Sequence, residues 1–137
     1  MVVIPERRPD VELRLPADGA YVSVLRTTTA GIAARLDFLI DDIEDLRIAV
    51  GEACAMVLPL ATPGGDVTAS YTLAPDSLTV TVAVEAEMPG PPDYDSFAWQ
   101  VLSTLAGEAS AESTADRFAV NLTVHRDTGP GPLHAAD

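Results

Sequence analysis

Four stretches of the chain have the residue pattern of β-strands. In "VELRLPA" (11–17) apolar and polar residues alternate, as they do in a half-buried strand. "VTASYTLA" (67–74) and "SLTVTVAVEA" (77–86) are rich in β-branched residues, and the "PD" between them predicts that they form a hairpin. "RFAVNLTVHR" (117–126) is predicted to be the last strand.

The first predicted helix covers residues 20–36. Its core-facing residues recur at steps of three and four, which places them on one stripe of a helix: Val22, Leu25, Thr29, Ile32 and Leu36. A shorter helix is predicted for "FAWQVLSTLA" (97–106), with Asp95 or Ser96 as its N-terminal cap and Gly107 as its C-terminal stop.

A further helix between these two has clear signals at both ends. Asp41 is predicted to cap it, and Glu44 three residues later completes a capping-box pattern. Pro59 is predicted to end it, because proline cannot continue the hydrogen-bond ladder of a helix. The residues expected on its buried face are Leu46, Ala49, Val50, Ala53 and Val57.

The order of these elements is β-α-α-β-β-α-β. It predicts an α/β (α+β) sandwich, in which one mixed sheet of four to five strands carries three helices on one face. We expect one domain over residues 11–127, preceded by a flexible N-terminal arm (1–10) and followed by a disordered tail (128–137).

Length and charge exclude several classes of function. The 137 residues are enough for one domain with one core. The formal charge of −13 disfavours binding to nucleic acid, and it suits either a basic protein partner or solubility alone. No apolar run approaches the ~20 residues of a membrane span, and the N-terminus lacks the apolar region of a signal peptide. We therefore expect a cytoplasmic protein that binds neither nucleic acid nor membrane.

Few residues suggest chemistry. The chain has one cysteine, Cys54, and two histidines, His125 and His134, which are too few and too scattered to predict a metal site. It has no G-x-S-x-G motif and no P-loop. The exception is Glu52, a lone carboxylate in an otherwise apolar helical stretch (48–58). The ordinary role of such a residue is to form the solvated edge of a helix, and a general base is the alternative.

Two segments resemble the RsbW and SpoIIAB family of anti-sigma factors, which are switch-protein serine kinases of the GHKL ATPase superfamily. They are "LPADGAYVSVLRTTTAGIAARL" and "DDIEDLRIAVGEACAMVL". The resemblance is strong from residue 11 to about residue 61 and weaker beyond. In the second segment these residues match the family's helix: Ile43, Glu44, Asp45, Leu46, Ile48, Ala49, Val50, Glu52, Ala53 and Cys54.

The family's nucleotide-binding residues are replaced in this chain. Met56 stands in place of the asparagine that binds magnesium, and Leu60 in place of the histidine that follows it. Val84 and Ala86 replace the aspartate and the glycine of the adenine-binding D-x-G motif. Glu52 alone matches the general base, and a base without metal or phosphate cradle has nothing to act on. The UsfX-like subgroup is similarly degenerate, and "SFAWQVLSTLAGE" is similar to its corresponding helix.

The resemblance implies a GHKL (Bergerat-like) fold and a role in transcription regulation, in stress response or sporulation. It favours an anti-sigma factor that sequesters an alternative sigma factor by stoichiometric binding and is released by a STAS-type anti-anti-sigma protein, with no bound ATP or Mg²⁺. An active RsbW-type serine-protein kinase is the alternative, and a degenerate GHKL scaffold in an unrelated complex is a third reading. Which sigma factor is bound stays open.

The resemblance also implies a contact residue and an oligomeric state. Arg26 matches a first-helix arginine that contacts both the sigma factor and the anti-anti-sigma protein. A homodimer is expected, formed through the first helix and the N-terminal strand. Cys54 is expected to be a buried, unreactive thiol, and redox control through an intermolecular disulfide is the alternative.

Overall fold

A computed structural model describes residues 8–126 of the chain. The predicted disordered tail and His134 lie outside the described residues, as does the predicted arm up to residue 7. At the start of the described part, the backbone N–H of Asp10 donates to the carbonyl of Tyr71 at 2.8 Å. The chain is therefore hydrogen-bonded to the sheet from residue 10 onward.

Five strands form one sheet. They are β1 (Val11–Pro16), β2 (Asp66–Ala74), β3 (Ser77–Glu85), β4 (Glu108–Ser113) and β5 (Arg117–His125). Their order across the sheet is β1-β2-β3-β5-β4. The helices are α1 (Val22–Arg35), α2 (Ile40–Val57) and α3 (Phe97–Leu105), and short 3₁₀ turns precede α1 and follow α2.

The predicted fold class is confirmed, with one correction to the sheet. A mixed sheet was expected, but within residues 8–126 each neighbouring pair of strands is antiparallel. The strands β2–β3 and β4–β5 form hairpins, which are antiparallel by construction. The fifth strand, β4, had no counterpart in the predicted order, because "EASAES" contains small and acidic residues instead of β-branched ones.

The core lies between the helices and one face of the sheet. Alternate residues of the three central strands point into it, including Val67, Tyr71, Val80, Val82, Val120 and Leu122. The helix α2 contributes the face that the sequence predicted: Leu46, Ala49, Val50, Ala53 and Val57 are all buried. A buried polar contact joins α1 to the sheet, since the hydroxyls of Thr29 and Tyr71 are hydrogen-bonded at 2.8 Å.

Three of the four predicted helix ends agree with the structure, including the end of α3 at Leu105, just before its C-cap Ala106 and Gly107. Ser96 caps α3 by accepting a hydrogen bond from the backbone N–H of Trp99 at 3.1 Å. The helix α2 ends at Val57 and continues as a 3₁₀ turn that contains Pro59. The capping box predicted at Asp41 is wrong, because α2 already begins at Ile40 and its N-cap, Leu39, makes no side-chain cap. Asp41 instead lies in the first turn, near the positive end of the helix dipole.

Candidate functional site

The carboxylate that the sequence singled out lies in the fourth turn of α2. Glu52 is half-buried, and its neighbours Gly51 and Ala53 are buried. Met56 lies four residues further on, so the two side chains share a face of the helix. Met56 is also half-buried, and its side chain packs against the hydrophobic core. Met56, one turn after the predicted base, therefore takes part in core packing.

The other three predicted nucleotide positions also hold apolar side chains that contact the core. Val84, in β3, and Ala86, just after it, are each 2% exposed and belong to the core cluster. Leu60, in the turn after α2, is half-buried and packs against that cluster. These side chains bring no hydrogen-bonding group to a nucleotide, and the core occupies the space next to them.

The loop between β3 and α3 is attached to the turn between β4 and β5. The backbone N–H of Ala86 donates to the carbonyl of Asp116 at 3.0 Å, and that of Met88 donates to Ala115 at 2.9 Å. The Ser113 hydroxyl donates to the carbonyl of Gly90 at 2.5 Å. The resemblance implies that this loop, here called the lid loop, stands in place of the family's nucleotide lid, and its bonds hold it on the hairpin. Its exposed charged residues are Glu87, Asp93 and Asp95, and Glu85 is exposed at the end of β3.

Arg26 is exposed on α1, and its side chain reaches across to α2. A Cβ atom built on Gly51 would lie 2.7 Å from Nη2 of Arg26 and 2.9 Å from its Nε. The guanidinium therefore occupies the place of a side chain at residue 51. Sequence reasoning selected Arg26 but missed Gly51, although a glycine in the interior of a helix is itself a signal of close packing.

The thiol of Cys54 is completely buried in α2, below this arginine. Burial raises its pKa to about 11, and the positive charge of Arg26 acts in the opposite direction. A thiol with this pKa is neutral at physiological pH, and burial also keeps it from reagents. The geometry agrees with the structural role that the sequence favoured.

The outer face of the sheet, opposite the helices, carries a cavity of about 530 Å³. Its lining is polar and contains Arg14 from β1 and Arg117 from β5. Arg14 forms an ion pair with Asp66 at 3.0 Å, in which both side chains are exposed. Glu52 and Met56 do not line this cavity, whereas Val84, another of the predicted nucleotide positions, does.

Residues 8–126 contain no cluster of three or more histidine, cysteine or acidic side chains placed to hold a metal ion. Over the same residues, no helix has the length and apolar character needed to cross a membrane.

Comparison with known proteins gives similarities in sequence and in fold. A family model described as the histidine kinase-like ATPase domain matches residues 15–97. The chain is 40% identical over 80 residues to serine-protein kinase RsbW of Bacillus cereus strain ATCC 10987, and 38% identical over 80 residues to that of Bacillus mycoides. Each alignment covers 57% of this chain and 50% of the relative. The chain thus spans about half the length of the curated relatives it matches.

A solved structure has the same fold. It contains the RsbU and RsbW domains of Rv1364c from Mycobacterium tuberculosis, and the superposition has a TM-score of 0.67. The aligned region covers 88% of this chain and 34% of that chain, at 18% sequence identity. At this identity the likeness concerns the fold alone.

Proposed function

Because the chain belongs to the family of histidine kinase-like ATPase domains and is RsbW-like, we propose that it is an anti-sigma factor that works without ATP. It binds an alternative sigma factor stoichiometrically and thereby keeps it from RNA polymerase. A STAS-type anti-anti-sigma protein releases the sigma factor by competing for the same surface. The protein acts in the cytoplasm as a homodimer, and its part in stress response or sporulation follows from the sigma factor that it holds.

The observation that carries this proposal is the apolar packing of the predicted nucleotide positions. Magnesium prefers oxygen ligands, and the thioether of Met56 is a poor substitute for an amide oxygen. Val84 offers no acceptor to the adenine amino group, and it is 2% exposed within the core. To admit a nucleotide, the chain would have to expose residues that now stabilise its fold.

The lid loop supports the same conclusion through its charge. Glu85, Glu87, Asp93 and Asp95 are exposed in and beside this loop, and the stretch from 85 to 95 contains no basic residue. Each close pair of like charges is unfavourable by ~1 kcal/mol even in water. The loop is also hydrogen-bonded to the β4–β5 turn. A triphosphate would therefore meet repulsion and would have to displace these bonds.

Arg26 is the residue through which we expect the protein to bind its partners. It is exposed, and the described residues give it no ion-pair partner. An arginine that is free to donate two parallel hydrogen bonds to a carboxylate is a strong anchor in protein interfaces. The sigma factor and its competitor would each present an acidic side chain to it.

A kinase of the RsbW type is the second candidate, and Glu52 is the observation that favours it. This carboxylate is half-buried on α2, where the resemblance places the general base, and the relatives at about 40% identity are named serine-protein kinases. In that case the chain would phosphorylate a serine of the STAS-type protein. The apolar residues Met56 and Val84 argue against this kinase function.

Co-expression with each alternative sigma factor of the source organism tests the proposed function. The protein should co-purify with one of them in buffer that contains EDTA and no nucleotide. The Arg26→Ala variant is the matched control and should recover much less sigma factor. If no sigma factor co-purifies with the wild-type protein, the chain is a scaffold of another complex. If a complex forms only with Mg-ATP, the nucleotide-independent function is wrong.

A further inference from the structure

Gly51 is an unusual residue for its position. It lies in the interior of α2 and is buried. Glycine in a helix interior is less favourable than alanine, which indicates that packing requires a glycine at this position. An added Cβ would meet three atoms of the Arg26 guanidinium, at 2.7, 2.9 and 3.2 Å. At Gly31, in the interior of α1, an added Cβ would meet nothing within 4 Å. The arginine, and not the backbone, fills the space at residue 51.

The contact gives an exposed arginine a defined position. The guanidinium lies against the surface of α2, where the missing side chain of Gly51 lets it approach closely. One turn earlier on α2, Ile48 is 48% exposed and shares this face of the helix. A cation fixed beside an exposed apolar side chain fits a partner segment with a carboxylate next to an apolar residue.

We propose that Gly51 is a positioning residue, which holds the guanidinium of Arg26 against α2 in the orientation that binds a carboxylate of the partner. The proposal rests on the proposed function, because that function makes Arg26 the anchor. A long side chain loses conformational freedom when it is fixed by a partner, and an arginine held in place beforehand loses less. If the Arg26 side chain is no longer held in place, we expect its affinity for the partner to fall roughly three- to tenfold.

The Gly51→Ala variant separates this role from a purely structural one. Alanine is the better helix former, and the atoms that its Cβ meets are the end of a flexible side chain that can move away. The variant should therefore be at least as stable as the wild-type protein while it binds its partner more weakly. A residue that matters only for folding would lower stability and affinity together.

The contact itself is measured first, in the free protein. The heteronuclear NOE of the ¹⁵Nε–H group of Arg26 reports its motion on the picosecond to nanosecond scale, with the signal assigned through Arg26→Lys. This group should be ordered in the wild-type protein and in Gly31→Ala, the matched control, and mobile in Gly51→Ala. If Arg26 is equally mobile in all three proteins, the contact is absent and the proposal is overturned.

The role in binding is measured next, as a double-mutant cycle with the sigma factor that co-purifies. Gly51→Ala should raise the dissociation constant roughly three- to tenfold, and Gly31→Ala should leave it within about twofold. In the Arg26→Ala background, Gly51→Ala should have no further effect. An equal loss in both backgrounds, or an unchanged affinity of Gly51→Ala, would overturn the positioning role. If the wild-type protein binds no sigma factor, the proposed function fails, and the NMR result still decides on the contact.

Discussion

Replacing Val84 with aspartate tests whether the predicted adenine-acceptor position is part of the core. Val84 is 2% exposed within the core cluster. The exchange removes a buried valine, which stabilises the fold by ~1.5–3 kcal/mol. It also buries a carboxyl group, whose pKa rises because burial disfavours the charged form, and each unit of pKa corresponds to ~1.4 kcal/mol at a pH above it. If the pKa of this carboxyl rises by two units, the free energy of unfolding at pH 7 falls by at least about 4 kcal/mol. The total stability of a domain is roughly 5–15 kcal/mol.

The pH dependence of this loss has a definite sign. The folded-state pKa of the new carboxyl lies above its unfolded value of about 3.9. Its destabilising effect is thus fully present above the folded-state pKa and disappears as the pH falls below the unfolded-state value. The control, Val84→Asn, introduces a side chain of similar size without this titration.

Urea unfolding of the two variants and the wild-type protein, from pH 7 down to pH 4, measures the effect. The difference in stability between Val84→Asp and Val84→Asn should shrink as the pH falls. Val84 is not a core residue if Val84→Asp loses less than about 1.5 kcal/mol of unfolding free energy at pH 7 and its difference from Val84→Asn does not change with pH. A carboxyl with that behaviour is solvated, as it would be in an open nucleotide pocket.

Three further predictions concern other parts of the fold. Tyr71→Phe removes the buried hydrogen bond with Thr29 and should lower the free energy of unfolding by about 1–2 kcal/mol in urea; an unchanged midpoint would mean that water replaces the bond. Cys54 should react with a maleimide only after unfolding, because it is fully buried and its pKa is raised to about 11; rapid labelling of the native protein would contradict this. Light scattering at micromolar concentration should give twice 14.4 kDa if α1 and the edge strand β1 form a homodimer, and a sharp monomer would exclude it.

The parts of the fold that follow from short-range patterns were predictable from the sequence. The buried face of α2 and the hairpin of β2 and β3 come from periodicity and turn residues that lie close together in the chain. The strand β4 was missed because its residues have weak strand preference, and it forms by pairing with β5. The start of α2 was misplaced by two residues, because an acidic residue suits the first turn as well as the cap.

The candidate site, too, was predictable from the sequence only in part. Comparison with a family motif located Glu52, Met56 and Arg26 by residue type alone. The sequence did not reveal that Arg26 lies on Gly51, because these residues belong to different helices and meet only when α1 packs on α2. The attachment of the lid loop to the β4–β5 turn is likewise a contact between distant segments. Such contacts follow from tertiary packing, and local patterns do not determine them.

Isothermal titration with Mg-ATP measures whether this chain works without a nucleotide. If Met56 and Val84 stand in place of the magnesium ligand and the adenine acceptor, as the resemblance implies, these replacements and the acidic loop together can move a micromolar site beyond millimolar affinity. We predict no binding heat at up to about 1 mM Mg-ATP, at a protein concentration near 100 μM, for a preparation shown to be folded by its urea transition. A dissociation constant below about 100 μM would contradict nucleotide-independent function and would support the RsbW-type kinase.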